Sequence, residues 1–487
     1  MASKDASKTT ASAISPSLSS DDSRIEAATH FNAELEKRIL RKADFWLVGF
    51  YSLVYVFRVI DSGNYSNAAI INLENGTGIK KELNLSPSQW AWSLSIFSYS
   101  YMFFEPTNTI LLKKFRPSVW MFVLIFSWGV CACCVGAAQN FKGLMCVRFA
   151  IGMAEAGFYP SVLYHMAFWY KPSEMPWRIA LFYSLGQVSS ALSGLLAYAI
   201  SFMDGIGHLA GWRWLFILEG LPALVLAFVA LFWLPDYPES AKMLTEEERV
   251  FVSDRLSGTA APSGKDNKHW DMNALKSLVK SPTVYSFGIY WIGHGIGGFG
   301  IQYALPTVVY QLGFTSTANS QLMNIPPYVA CFFFLNTVGY MIHRGWIRPW
   351  TTAVAIESTT IICYIILITV PNSVVKYLAL IVATACAGSA YPVIWPERIR
   401  ALDGTIAAGI GIGFTNAMAQ FSGIVGPHVY STVFGPTYHV SYVICLVFLI
   451  ISISAILTSW VLVRRNDQRV AAAAAASISE ADTDRGV

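Results

Sequence analysis

The chain has 487 residues, of which 54% are hydrophobic and 13% charged, with a formal net charge of +4 and a mean hydropathy of +0.46. That balance excludes an ordinary soluble enzyme and a nucleic-acid binder, and predicts an all-α membrane protein that crosses the bilayer many times. All eight cysteines (131, 133, 134, 146, 331, 363, 386 and 445) fall in apolar stretches, where a small buried hydrophobe is the default and no loop disulfide is offered.

Residues 1–43 read as a cytoplasmic tail. They begin with a polar, Ser-rich tract lacking the apolar core of a signal peptide and end in a short basic amphipathic helix, 31–42, at the membrane surface. Apolar runs of span length follow at 44–64, 89–112, 117–138, 143–168, 177–201 and 213–235, giving a six-helix half over 44–235. Residues 236–281 form a polar central loop, with a capping-box helix start from Thr245 to Glu248 and a flexible GTAAPSGKDN stretch. Six more spans at 282–305, 318–341, 349–370, 374–395, 404–425 and 439–463 make a second half over 282–463, and 464–487 is a second tail.

The short loops KKFR (113–116), HRGWIR (343–348) and ERIR (397–400), together with RRNDQR (464–469), place Lys and Arg on one side. The other side carries Lys80, Lys81, Lys142 and Lys376, so both termini and the central loop are expected in the cytoplasm. Asn75-Gly-Thr77 lies in the longest outward loop, where an N-glycan could be added. Six plus six spans about a long cytoplasmic loop is the layout of a two-halved transporter closing alternately around a midplane site. GIGGFG at 295–300 has a dinucleotide-loop spacing but sits inside an apolar span with no strand before it, which favours close helix packing. At Gly264-Lys265 the next residue is Asp266 rather than Ser or Thr, so no nucleotide loop is present there, and no cofactor or metal is expected.

Charges inside the spans carry the functional argument. Arg148 and Glu155 stand seven residues apart in the fourth span and share a helical face, thinned between them by Gly152. A charge at membrane depth costs roughly 2.5–3.5 kcal/mol on insertion scales, so two on one face imply either a buried structural ion pair or a water-lined pathway for a charged solute. The first span adds Arg58, Asp61, Asn64 and Asn67 on one stripe. Glu105 lies in span two, His294 and Gln302 in span seven, Glu357 in span nine, and Asn416 and Gln420 in span eleven. Taken singly, His294, Glu357 and Gln420 read as satisfied structural groups. A buried carboxyl beside an arginine can gain or lose a proton as the cavity opens to each side, and the arginine fork suits an oxyanion. The expected partners are a small anion, protons and the bilayer. The protein is expected to work as a monomer.

VRFAIGMAEAGFYPSVLYHMAFWY, SEMPWRIALFYS, AGWRWLFILEGLPALV and LPDYPESAKMLTEEER together resemble the fungal allantoate permease branch of the major facilitator superfamily, within its anion:cation symporter family. The resemblance implies twelve transmembrane helices in two six-helix halves, with spans one, four, seven and ten lining the cavity. It also implies proton-driven uptake of a small organic anion, ureide, vitamin or sulfur oxyanion across the plasma membrane. By resemblance Arg148 and Glu155 serve substrate binding and proton coupling, and Asp61 matches the family's first-span aspartate. The polar residues within the spans themselves add Arg58, Asn64, Asn67, His294, Gln302 and Asn416 as candidate substrate contacts and Glu105, beside Asp61, as a candidate proton group. Ser62 stands where the family has an arginine after the aspartate, so Arg58 either replaces that charge or neutralises Asp61. VGYMIHRGWIRPW lacks the family's acidic Ser-Asp-Arg element, and WPERIRALDGTIAAGIGIGFTN departs from its late motif. Two rival readings share the fold: a proton antiporter that exports a solute, and a nutrient sensor that binds without transport. A membrane enzyme is disfavoured by the absence of a His-x-x-x-x-Asp motif.

Overall fold

The computed structural model describes residues 34–112, 114–171, 174–257, 280–313, 316–400 and 415–485. The Ser-rich tract, the central-loop stretch with Gly264 and Lys265, and the start of the eleventh expected span lie outside the described residues. The membrane-crossing helices are α1 (Gly49–Ala68), α2 (Pro87–Leu112), α3 (Pro117–Val135), α4 (Phe141–Glu155), α5 (Met175–Ser201), α6 (Gly211–Trp233), α7 (Pro282–Gly297), α8 (Ile325–His343), α9 (Pro349–Thr369), α10 (Ser373–Arg400), α11 (Phe421–Val429) and α12 (His439–Arg485). Proline opens α3, α7 and α9, where its missing N–H falls among groups that have no helical partner anyway. The Asn140 side chain caps α4 by accepting from the Gly143 amide at 2.8 Å.

The packing repeats. In the first half α3 packs on α6 and α4, α2 on α4, and α1 on α5 and α6. In the second half α9 packs on α12 and α10, α8 on α10, and α7 on α11 and α12, so each contact recurs six helices later. The halves meet chiefly along α5 against α8 and α2 against α11. Large apolar side chains such as Phe103, Phe232 and Phe333 turn outward, 64% exposed or more, as a lipid-facing surface requires.

Three features depart from the hydropathy reading. The basic segment before the first span is not a separate surface helix: helix runs without a break over Glu34–Ala68, through a π-turn at Asp44–Val48. No glycine or proline interrupts 34–48, and Asp44 is tied by Arg178 (2.5 Å) and by the Tyr170 hydroxyl (2.9 Å). The fourth and seventh spans are each interrupted. α4 stops at Glu155 and helix resumes at Phe158–Met166, whereas α7 stops at Gly297, passes through a 3-10 turn at Phe299–Tyr303 and resumes at Leu305–Gln311. Such interruptions are tolerated at membrane depth where they are buried in protein or line a cavity. Finally, ERIR is not a surface loop, because α10 continues through it and Arg398 is 1% exposed.

In the segment after α6 the capping box forms as expected, Glu248 accepting from the Thr245 amide at 2.9 Å and Thr245 from the Glu248 amide at 3.3 Å. The helix it opens (Glu246–Ser257) is clamped to the N-terminal helix by Lys42–Glu248 at 2.7 Å and Arg255–Glu36 at 2.7 Å. Burial pushes the Glu248 carboxyl up, but the Lys42 ammonium and the Thr245 amide outweigh it and hold the group below the usual carboxylate range.

Candidate substrate and proton site

The charged side chains of the first half converge where α1, α2 and α4 come together, but their pairing is not the one that sequence spacing suggests. Arg58, midway along α1, reaches across to Glu155 on α4 at 2.8 Å, and the two side chains are 18% and 2% exposed. Asp61, one turn on, accepts instead from the Trp128 indole of α3 at 2.8 Å, leaving its other oxygen without a hydrogen bond. Neighbours at three-residue spacing on one helix thus serve different partners, because the side chains splay toward different helices. Arg58 therefore does not neutralise Asp61 by direct contact.

Arg148 is held by backbone. Its guanidinium donates to the Ser93 carbonyl (3.0 Å) and the Leu94 carbonyl (3.4 Å) of α2, and it lies over the Tyr65 ring at 3.6 Å and the Phe97 ring at 5.0 Å. This approach depends on Gly152, where any Cβ would collide with the Phe97 carbonyl and the Ser100 hydroxyl of α2.

Asn64 is fully buried, beside Glu219 of α6. Glu219 is a fourth buried carboxyl of this half that sequence spacing did not single out: it is 4% exposed, with the Asn64 amide and Asp61 as polar neighbours. A lone carboxylate inside the apolar run FILEGLPALV was the available signal.

The halves are stitched at both ends. At the end where α1 passes to α2, the Ser66 hydroxyl donates to the Gln302 and Tyr303 carbonyls (both 3.2 Å), the Gln321 amide to the Asn67 carbonyl (3.0 Å), and the Ser95 hydroxyl to the Ile424 carbonyl (2.7 Å). The Asn67 side chain itself donates to Ser193 at 2.8 Å. Gln302 thus contributes its carbonyl to this seam. Toward the opposite end, Asn416 donates to Glu105 at 2.7 Å, and the Tyr159 and Tyr391 hydroxyls meet at 2.9 Å. Tyr101 is buried within the field of Arg58, Glu105 and Glu155.

His294 does not reach this face with a free nitrogen. It meets Glu357 at 2.7 Å through Nδ1 and the Ala387 carbonyl at 3.1 Å through Nε2, both within its own half. Arg398, read in the sequence as a loop residue, instead stacks on Trp395 at 3.3 Å and donates to Thr415 at 2.6 Å, with Nε and Nη2 unbonded among the described residues. Asn75 is exposed, and the Thr77 hydroxyl donates to Asp204 at 2.8 Å. Among the described residues no group of three or more His, Cys, Asp or Glu is placed to hold a metal ion.

Comparison with known proteins agrees with this architecture. Residues 51–427 match the family model described as Major Facilitator Superfamily. The chain is 30% identical over 400 residues to the MFS transporter prlL of Fungal sp. (strain NRRL 50135), covering 81% of this chain and 80% of that one. It is 27% identical over 405 residues to a protein of Agrobacterium vitis provisionally named a tartrate transporter, covering 81% and 84%. Among solved structures, a bacterial homologue of the human lysosomal transporter Spinster, in an inward-facing unoccupied conformation, superposes with a TM-score of 0.67 at 14% identity, covering 86% of this chain and 97% of that one. The chain belongs to the major facilitator superfamily of membrane transporters.

Proposed function

We propose that the protein is a proton-coupled symporter that imports a small organic anion by alternating access, in a plasma membrane with both termini in the cytoplasm. The observation that carries this reading is the buried Arg58–Glu155 pair between α1 and α4. While Glu155 is ionised it neutralises Arg58, and the guanidinium has no net charge to offer. A proton arriving on Glu155 removes that compensation and leaves a buried cation, which a carboxylate can satisfy through the planar donor fork. Proton and anion each make room for the other, which is the requirement for symport.

The remaining groups support that exchange. Arg148, fixed by the Ser93 and Leu94 carbonyls, supplies a permanent positive field beside the site. Four carboxyls (Asp61, Glu105, Glu155 and Glu219) face two guanidiniums in this half, an excess that gives protons places to bind. The Tyr101 and Glu105 side chains, with Asn416, mark the inward route. Alternating access follows from the two seams: the outer set of Ser66, Gln321 and Ser95 bonds and the inner set of Tyr159–Tyr391 and Glu105–Asn416 bonds open in turn. The substrate class is a small carboxylate, with ureides, vitamins and sulfur oxyanions as the wider panel; the likeness to a relative named for tartrate supports hydroxy-dicarboxylates as the first probe. The protein is taken to act as a monomer, with Asn75 as its glycan acceptor.

The test is radiolabelled uptake of tartrate and the wider panel in cells lacking their own carriers. Accumulation that a protonophore abolishes is expected. Substrate-dependent proton entry with export of the label would show an antiporter, and saturable binding without uptake would show a sensor.

A further inference from the structure

The second half holds a buried polar centre that the anion site does not use. The apolar core of the first half is one continuous cluster, whereas that of the second divides in two: Ile296, Cys363, Ala383 and Leu449 lie in one cluster, and Trp291, Ile356, Cys386 and Ala455 in the other. His294, Glu357 and Ser452 fall between these sets in α7, α9 and α12, and Ala387 directly follows Cys386 in α10. His294 is 1% exposed and Glu357 is fully buried.

The hydrogen-bond chemistry fixes the proton content of this centre. The Ala387 carbonyl can only accept, so His294 Nε2 carries a hydrogen. The 2.7 Å contact between Nδ1 and Glu357 Oε1 then needs one further proton, whether on nitrogen or oxygen, since a ring lone pair facing a carboxylate at that distance would repel it. The Ser452 hydroxyl of α12 donates to the same carboxyl oxygen at 3.1 Å. Among the described residues, Tyr290 on α7 and Cys386 on α10 are titratable groups whose fields reach Glu357. Neither is a cation, so loss of the bridging proton would strand a carboxylate in the interior.

The pair also sits at a hinge. α7 ends three residues beyond His294, whose own carbonyl accepts the Gly298 amide at 2.6 Å, and the 3-10 turn that follows carries the Gln302 and Tyr303 carbonyls bound by Ser66 of α1. Gly293 and Gly297 set α7 directly against the Phe448 and Cys445 carbonyls of α12. Opening the outer seam therefore bends α7 beside the pair and strains its contact with α9.

We infer that His294 and Glu357 form a second proton-binding site, which keeps its proton while α7 is closed against α1 and exchanges it with water when the outer seam opens. The use of that proton in transport rests on the symport reading, but its binding can be counted without substrate. Gly194 of α5 faces the Gln321 carbonyl at 2.7 Å from an added Cβ, so Gly194→Trp wedges the outer seam open; Ser66→Trp does so from α1 if the first variant does not fold. His294→Gln with Glu357→Gln removes both titrating groups and leaves two amides that can hydrogen-bond to each other.

Protons bound between about pH 9 and about pH 5, a window spanning free His and carboxylate ranges, are counted with an indicator dye in weakly buffered detergent solution. Wild type and the double variant should bind equal numbers, while the wedged protein should bind about one proton per chain more than the wedged double variant. An equal difference in both backgrounds, whether none or one, overturns the inference. Failed uptake with the expected proton count would instead count against the symport reading alone.

Discussion

Removing either member of the Arg58–Glu155 pair should destabilise the protein more than removing both. The single variants Arg58→Met and Glu155→Gln each leave a partner buried without its counter-charge, a loss of about 3–5 kcal/mol for internal pairs, whereas the double variant replaces the pair by neutral groups of similar volume and should lie near wild type. The structure also sets an order. Glu155 is 2% exposed and Arg58 is 18%, so the stranded carboxylate of Arg58→Met has less access to water than the stranded guanidinium of Glu155→Gln. Arg58→Met should therefore be the less stable single variant at neutral pH and should recover on acidification, since a protonated acid needs no cation. Thermal unfolding of the four proteins in detergent gives the double-mutant cycle directly. Added substrate should raise the melting temperature of Glu155→Gln, whose Arg58 is free to bind it, and leave Arg58→Met unmoved. Additive losses in the double variant, or equal stabilisation of both single variants by substrate, would refute the pairing as the switch.

Gly152→Ala should cost about 1–3 kcal/mol by overpacking, and because it pushes α4 from the α2 carbonyls that hold Arg148 it should lower uptake even where the protein still reaches the membrane; wild-type uptake would show that this approach is not needed. The Lys42–Glu248 clamp contributes stability above the carboxyl's unfolded pKa of about 4.3 and loses it only as pH falls through the depressed folded value, so protection of Glu246–Ser257 from hydrogen exchange should be constant from about pH 8 to about pH 6. Glu248→Gln should expose that helix across the same window, and a wild-type protein that loosened there would contradict the assignment.

Hydropathy alone made the all-helical, many-span fold legible, because a bilayer leaves an apolar run of span length few other uses. It could not locate the interruptions at Ala156–Gly157 and Gly298–Ala304: both lie in stretches whose apolar character continues unbroken, and what stops the helix is packing against α2, α11 and α12. The charged residues of the site were legible for the same reason as the spans, each being costly where it stands. Their partners were not, since Arg58 and Asp61 share a stripe of α1 but reach α4 and α3 respectively, a choice set by helix rotation. Arg398 was hidden by its basic neighbours in ERIR, which resemble a cytoplasmic loop until the Trp395 stack and its burial are seen.

The account turns on one exchange, a proton on Glu155 for an anion on Arg58, and purified protein in proteoliposomes tests it most directly. With labelled tartrate outside and an inward proton gradient, wild type should accumulate label and acidify the lumen together. Glu155→Gln should still exchange internal for external tartrate but should neither accumulate it against a gradient nor acidify the lumen. Gradient-driven accumulation that persists in Glu155→Gln would contradict the account.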